Sequence, residues 1–552
     1  MELTPLDWTV LALYGALSIT VGLLVARRAG AGRQEFFLSG RKLPWWLLGV
    51  SLVATTFSTD TPNLVTDLVR TGGVSQNWVW WAFAVTGLCT VFFYAKLWRR
   101  SAALTDMSFY ELRYSGRPAA FLRGFRALYL GVFFNVMIMA SVNLAATKIA
   151  GVLLGWDRST AVIAGSAATV LYAASSGLWG VVLTDFVQFV LAMVGSVAAA
   201  VVALRLPEVG GLAGLVDNPA VITKLALLPD FTDWNTAAAV FVIPLAVQWW
   251  STWYPGAEPG GGGYVAQRML AARNERDAMR TTLLFNLLHY ALRPWPWIIV
   301  ALASLVVYPS LDAIALRFPH LDPAIVRHDL AYPAMLVYLP PGLLGLMVAS
   351  LAAAYMSTIA THLNWGASYM VEDVYRRFAA PDQDERHYVT VGRLATVALV
   401  VLAGALSLWL ENALQAFQIM LQVGAGTGLI FLLRWFWWRI NAWTEISAMA
   451  ISFSVAVYFQ FIHAPVLGLP ALGTSAQLVI GVVITTAGWM AVTYLTPPTD
   501  RATLQAFYDR IRPHDMGWRG AVTTGPPGGR DSVTAALLCW FLGVAVIYLA
   551  LF

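Results

Sequence analysis

The stretch Pro44-Trp-Trp-Leu-Leu-Gly-Val-Ser-Leu-Val-Ala-Thr-Thr-Phe-Ser-Thr-Asp-Thr-Pro62 starts as an apolar helix and ends differently. From Thr55 to Thr61 polar side chains crowd in, Asp60 among them, and Pro62 follows where a spanning helix should be most apolar. Proline has no N–H for the carbonyl of Ser58 and disfavours helical geometry at Thr61, so the helix is predicted to break here, near the bilayer midplane. Irregular backbone at that depth is tolerated only where protein or a cavity satisfies the freed groups. Freed carbonyls are good ligands for a hard cation such as Na⁺. The plainer alternative is a proline kink whose Ser and Thr hydroxyls bond back to their own helix. An ionisable Asp60 beside the proline favours the functional reading.

The rest of the chain is built for a bilayer. Of its 552 residues, 59% are hydrophobic and 12% charged, about half the charge share of a soluble domain. Apolar runs of roughly 18 to 28 residues, enough to cross about 30 Å of hydrocarbon, alternate with short basic loops. About fourteen runs can be counted, which predicts an all-α polytopic membrane protein of about fourteen transmembrane helices. The first run, residues 6–26, has Glu2 and Asp7 at its start and no basic segment, so it is expected to be a retained span and not a signal peptide. Cys89 and Cys539 both fall inside runs and are not placed as a disulfide staple.

With the amino terminus outside, the inside loops take roughly 26 of the 35 basic residues, including Arg27, Arg28, Arg99, Arg100, Arg268, Arg376 and Arg512, against about six outside. One miscounted span would scramble this segregation, so it supports both the count and the orientation. The net charge of +5 is a topology signal and gives no support to nucleic-acid binding. The longest polar stretch, residues 496–531, is rich in Pro, Gly and Arg and reads as a cytoplasmic linker.

A second interrupted span covers residues 236–254, with Pro244 inside it and the sequence Gln248-Trp-Trp-Ser-Thr-Trp-Tyr-Pro-Gly256 at its end. Two five-helix repeats, each opening on a broken helix, would point to a central site. This divides the chain into a first helix and cytoplasmic loop (1–43), a first repeat (44–204), an extracellular loop (205–235), a second repeat (236–435) and accessory helices with their linker (436–552). Hydroxyls gather again at Ser350-Leu-Ala-Ala-Ala-Tyr-Met-Ser-Thr-Ile-Ala-Thr-His-Leu-Asn364. Its alanines allow close helix approach, and Ser357 and Thr358 can offer oxygens across the gap.

Five segments in order resemble the sodium:solute symporter family over about residues 36–445. They are Phe37-Leu-Ser-Gly-Arg-Lys-Leu-Pro-Trp-Trp46, Ser176-Gly-Leu-Trp-Gly-Val-Val-Leu-Thr-Asp-Phe-Val-Gln188, Gly263-Tyr-Val-Ala-Gln-Arg-Met-Leu-Ala-Ala-Arg273, Met356-Ser-Thr358 and Gln415-Ala-Phe-Gln418. The resemblance implies a LeuT-type five-plus-five inverted repeat with added outer helices. It also implies a sodium site on the carbonyls of Ala54, Phe57 and Ala354 and the hydroxyls of Ser357 and Thr358. Asp185 is similar to an acidic residue on the ion's inward exit path; its plainer reading is a cytoplasm-side residue bonded locally.

The solute is less legible. Where the family's galactose carrier has an amide in the broken span this chain has Thr61, and Gly261 to Gly263 lengthen the loop after the seventh span. Gln418 matches that carrier's substrate-contacting glutamine, and Trp250, Ser251 and Tyr254 fall near its stacking and polar positions. Arg293 sits near the centre of the run 281–308, where it would hold a substrate carboxylate or neutralise Asp60. If Pro294 begins the span, Arg293 instead lies at the inner surface. The candidate substrate set is therefore Asp60, Thr61, Trp250, Ser251, Tyr254, Arg293 and Gln418.

The expected activity is sodium-coupled symport of a small polar solute, whether sugar, amino acid or carboxylate, across a cell membrane, the bacterial inner membrane fitting best. No obligate protein partner is indicated. The alternatives are a sodium- or proton-permeable channel, for which no filter-like motif appears, and a transporter-derived sensor, for which no signalling domain follows the spans. No HExxH or comparable nucleophile constellation points to an enzyme.

Overall fold

The computed structural model describes residues 3–29, 31–250, 258–319, 321, 323, 326–409, 426–523 and 532–551. Among them all regular elements are helical. In chain order they include α1 (Pro5–Ala29), α2 (Trp45–Thr56), α3 (Asp60–Gly72), α4 (Val74–Ser101), α5 (Gly116–Leu154) and α6 (Arg158–Leu204). Next come α7 (Trp234–Ala246), α8 (Gly263–Ala271), α9 (Glu275–Val307), α10 (Leu343–Ala379) and α11 (Glu385–Trp409). The chain closes with α12 (Gly428–Leu433), α13 (Ala442–His463), α14 (Thr474–Leu495), α15 (Arg501–Ile511) and α16 (Val533–Leu549). Eight of these helices are long and apolar enough to cross a membrane by themselves, and α2, α7 and α16 are shorter apolar helices.

The second span is broken, as its sequence predicts, but the break opens at Phe57, five residues before Pro62. Helix α2 ends at Thr56, Phe57 leaves helical geometry (φ −92°, ψ 82°), and α3 begins at Asp60. Thr61 and Pro62 lie inside the first turn of α3, where the N–H that proline lacks would have had no intrahelical partner. The proline thus starts the second half-helix and does not itself mark the gap.

The fifth and sixth predicted runs meet inside α6 at Gly177, whose φ of 54° and ψ of −156° interrupt the helical path. A side chain there would strike the Phe36 carbonyl, at 2.5 Å from an added Cβ. Helix α6 packs along α10 and α1, while α2 lies against α6, α9 and α10. At Gly195 an added Cβ would come within 2.9 Å of Ser350, so α6 and α10 approach as small residues permit.

Nearly all of α10 from Leu344 to Tyr369 is buried, so its hydroxyls face protein and not lipid. Helices α13, α14 and α16 instead show broad exposed apolar faces, as outer helices in contact with lipid would. The stretch 496–531, expected to be a linker, contains α15, which buries Leu504 and Phe507 and stacks Phe507 on Trp518. Short helices Gly211–Val216, Leu311–Arg317 and Ala331–Leu336 occupy the loops after α6 and α9.

Candidate functional site

The break brings the two hydroxyl clusters of the sequence together. Thr358 Oγ1 of α10 lies 2.8 Å from the Thr55 carbonyl and 3.1 Å from the Ala354 carbonyl of its own helix. The Ala54 carbonyl accepts the Phe57 N–H, at 3.1 Å, in the last turn of α2. Ala54, Phe57, Ala354, Ser357 and Thr358 are all buried. Every donor in this layer is a neutral oxygen, the ligand type a hard, weakly charged cation takes.

Asp185 forms the floor of the layer. Ser357 Oγ donates to its Oδ1 at 2.6 Å and Ser51 Oγ to its Oδ2 at 2.5 Å. The carboxylate is fully buried in α6 beside Arg268 Nη2 at 3.7 Å. Arg268 also donates to Thr361 Oγ1 at 2.8 Å, which touches Thr55 Oγ1 at 2.9 Å. Arg268, counted above with the inside-loop arginines, is therefore wholly buried on α8. Ser51, Thr55, Thr361 and Arg268 escaped the sequence reading as a group. The signal was the spacing of Ser357 and Thr361 four residues apart, one helical turn, above an arginine that follows a glycine-rich loop.

Of the expected substrate residues, Arg293 is placed decisively. It is 2% exposed and lies well inside the 33-residue helix α9. A π-helical turn over Leu287–Leu292 precedes it in α9 and carries His289 and Arg293 toward the end of α2. His289 Nδ1 lies 2.9 Å from Thr56 Oγ1, Arg293 Nη1 lies 3.1 Å from the same oxygen, and Arg293 Nη2 lies 3.3 Å from His289 Nε2. Asp60 keeps accessible surface at the start of α3. Thr61 reaches back to the Thr56 carbonyl at 3.5 Å. Trp250 donates to the Ala246 carbonyl of its own segment. Ser251, Tyr254 and Gln418 lie outside the described residues.

A cavity of about 50 Å³ opens beside Thr56 and His289, lined also by Thr86, Glu258, Tyr264 and Asn286. Thr86 Oγ1, Asn286 Oδ1 and Glu258 Oε2 are buried without a hydrogen-bond partner. Buried polar atoms are rarely left so. All three residues line this one cavity. The sequence signal was a polar stripe at helical spacing, Thr282, Asn286 and His289, through an otherwise apolar span.

The loop 258–263 borders the cavity and is held by three neighbouring segments. Glu258 pairs with Arg126 at 2.6 Å, Trp98 Nε1 donates to the Gly260 carbonyl at 2.9 Å, and Asp106 Oδ2 accepts the Gly263 N–H at 2.7 Å. Tyr369 donates to the other oxygen of Asp106. Gly260 and Gly261 have φ of +81° and +88°, which is why this loop is glycine.

The model of one protein family, the sodium:solute symporter family, matches residues 36–451. The chain belongs to that family. This symporter is 26% identical over 481 residues to the sodium/glucose cotransporter of Vibrio parahaemolyticus, covering 83% of this chain and 86% of that one. It is also 26% identical over 513 residues to a sodium/mannose cotransporter of Bos taurus, covering 85% and 82%. Among solved structures, the substrate-bound outward-open state of a Na⁺-coupled sialic acid symporter matches with a TM-score of 0.72 at 20% identity, covering 90% of this chain and 100% of that one. The symporter thus has the LeuT-type fold, is a multi-pass membrane transporter and not an enzyme, and couples transport of a small organic solute to sodium.

Proposed function

We propose that the symporter imports a small polar organic solute by alternating access in a bacterial inner membrane, with one sodium ion held between the α2–α3 break and α10. The observation that carries this reading is the meeting of the two hydroxyl clusters, Thr358 Oγ1 standing 2.8 Å from the Thr55 carbonyl. The carbonyls of Ala54, Phe57 and Ala354 and the hydroxyls of Ser357 and Thr358 hold the ion. Asp185, hydrogen-bonded to Ser357, receives it on the way inward.

The solute sits above Tyr264, among Asp60, Thr61, Arg293 and the cavity residues Thr86, Asn286 and His289, with Trp250, Ser251, Tyr254 and Gln418 completing the site. Residues 44–204 and 236–435 act as the two inverted repeats. Sodium favours the outward-open arrangement by joining α2 to α10. Solute binding then permits release of the loop 258–263.

The test is thermal unfolding of the purified protein in NaCl and in equimolar KCl or choline chloride, followed by uptake into proteoliposomes under an imposed sodium gradient. Stabilisation specific to sodium and gradient-dependent uptake are the expected outcome. Equal stability in all three salts would overturn the ion site.

A further inference from the structure

Arg293 differs from the other buried arginines. Arg126, Arg123, Arg434 and Arg268 each face a carboxylate, at 2.6, 2.7, 3.5 and 3.7 Å. Arg113 and Arg70 have none, but each grips helix-end carbonyls at 2.7–3.1 Å, three for Arg113 and two for Arg70. Arg293 has neither arrangement. Among the described residues no carboxylate oxygen lies within 4.0 Å of it, and its one carbonyl contact, Val53, is 3.4 Å away.

The remaining contacts are neutral. With the guanidinium donating to His289 Nε2, the imidazole carries its proton on Nδ1 and passes it to Thr56 Oγ1; this tautomer is assigned from the network. Nε of Arg293 is buried with no acceptor at all, and Nη2 has one contact for two protons. Nε–H and the neighbouring Nη2–H form the side-on fork that takes both oxygens of a carboxylate. A guanidinium out of water with only neutral partners is costly to hold. Its two partners, Thr56 and His289, are themselves walls of the central cavity.

Resting on the symport reading, we propose that the transported solute bears a carboxylate and that Arg293 is the residue that selects it, through Nε and Nη2. A neutral sugar would offer hydroxyl acceptors but leave the charge uncompensated. A sugar acid or another small organic acid satisfies both the fork and the charge, while the orphaned oxygens of Thr86, Asn286 and Glu258 take its hydroxyl or amino protons. Asp60 lies beyond ion-pair distance of Arg293 and keeps accessible surface, from which it balances the entering sodium.

The experiment uses the full chain at fixed NaCl, with thermal unfolding in matched pairs: glucuronate against glucose, and lactate against lactamide. At least one acid should raise the melting temperature while its neutral partner does not. Arg293→Gln should weaken that acid tenfold or more and keep the shift produced by sodium alone. Arg293→Lys, which keeps the charge but loses the fork, should weaken it severalfold and guards against a misfolded Gln variant.

A neutral member that stabilises as well as its acid, no acid-specific shift anywhere in the panel, or an acid shift unchanged in both variants overturns the carboxylate. Sodium-dependent stabilisation by a neutral sugar would do so while leaving symport intact. Absence of any sodium shift in the wild type would sink both.

Discussion

Replacing Ser357 and Thr358 together by alanine removes two of the five oxygens assigned to sodium and changes nothing else in the layer's shape. The structure says what each loss leaves behind. Without Ser357, Asp185 Oδ1 loses the donor at 2.6 Å and keeps Ser51 on its other oxygen. Without Thr358, the Thr55 carbonyl loses its partner at 2.8 Å.

Sodium affinity should fall at least tenfold, which is about 1.4 kcal/mol. That is a modest demand on two ligands, since a hydrogen bond to a charged group is itself worth about 1.5–3 kcal/mol. If wild type is measured at a sodium concentration about 100 times its dissociation constant, binding contributes about 2.7 kcal/mol of stability. A tenfold loss leaves about half of that. Melting temperature followed across a sodium titration, with uptake at the same concentrations, reads the change directly. A double variant that folds, unfolds at a lower temperature in every salt, and keeps the wild-type sodium midpoint would refute the assignment.

Asp185→Asn should cost about 3–5 kcal/mol by leaving Arg268 buried without its countercharge, and Arg268→Gln added to it should recover part of the loss; strict additivity in chemical unfolding would refute the pairing. Burial first, and the nearby Glu258 second, push Asp106 up to about 7 against the opposing pull of Tyr369 and the Gly263 N–H. Its ionised form is therefore the strained one, so stability should decline as pH rises from the ordinary carboxylate range toward 7 and Asp106→Asn should flatten that slope in a pH series of melting temperatures. Single cysteines at Gly32, Ser115 and Gln383 should resist an impermeant thiol reagent applied outside, whereas cysteines at Asn218 and Asp312 should react; the reverse pattern would overturn the orientation.

What the sequence disclosed depended on whether a signal was local. The break of the second span was legible because Asp60 and Pro62 are out of place in a bilayer wherever they pack. The gap nonetheless fell at Phe57, because proline is compatible with the first turn of α3 and the residues ahead of it supply the irregular geometry. Ser357 and Thr358 were legible as a cluster, yet their partners Asp185 and Thr55 come from α6 and α2, and only tertiary packing brings them together.

Arg293 was ambiguous because Pro294 could begin a span or merely interrupt one. The π-helical turn that precedes it lets α9 run on through Pro294 and leaves the arginine buried. Asn286 belonged to a periodic polar stripe along α9, but a stripe alone does not reveal that its amide oxygen joins those of Thr86 and Glu258 unsatisfied at one cavity.

The glycine-rich loop 258–263 has a consequence for efficiency. Its backbone and its one acidic side chain are gripped from three separate elements, by Trp98 of α4, by Asp106 of the loop after it and by Arg126 of α5. None of these contacts can be lost gradually while the others hold, since the six residues move as one short tether. At about 1 kcal/mol or more apiece, three bonds released together make spontaneous opening at least about a hundredfold rarer than with none, whereas a single bond would make it only about fivefold rarer. On the alternating-access reading proposed above, an empty or half-loaded carrier idles with this loop closed, and loosening Arg126 alone should lower the yield of transported solute per ion before it lowers the rate.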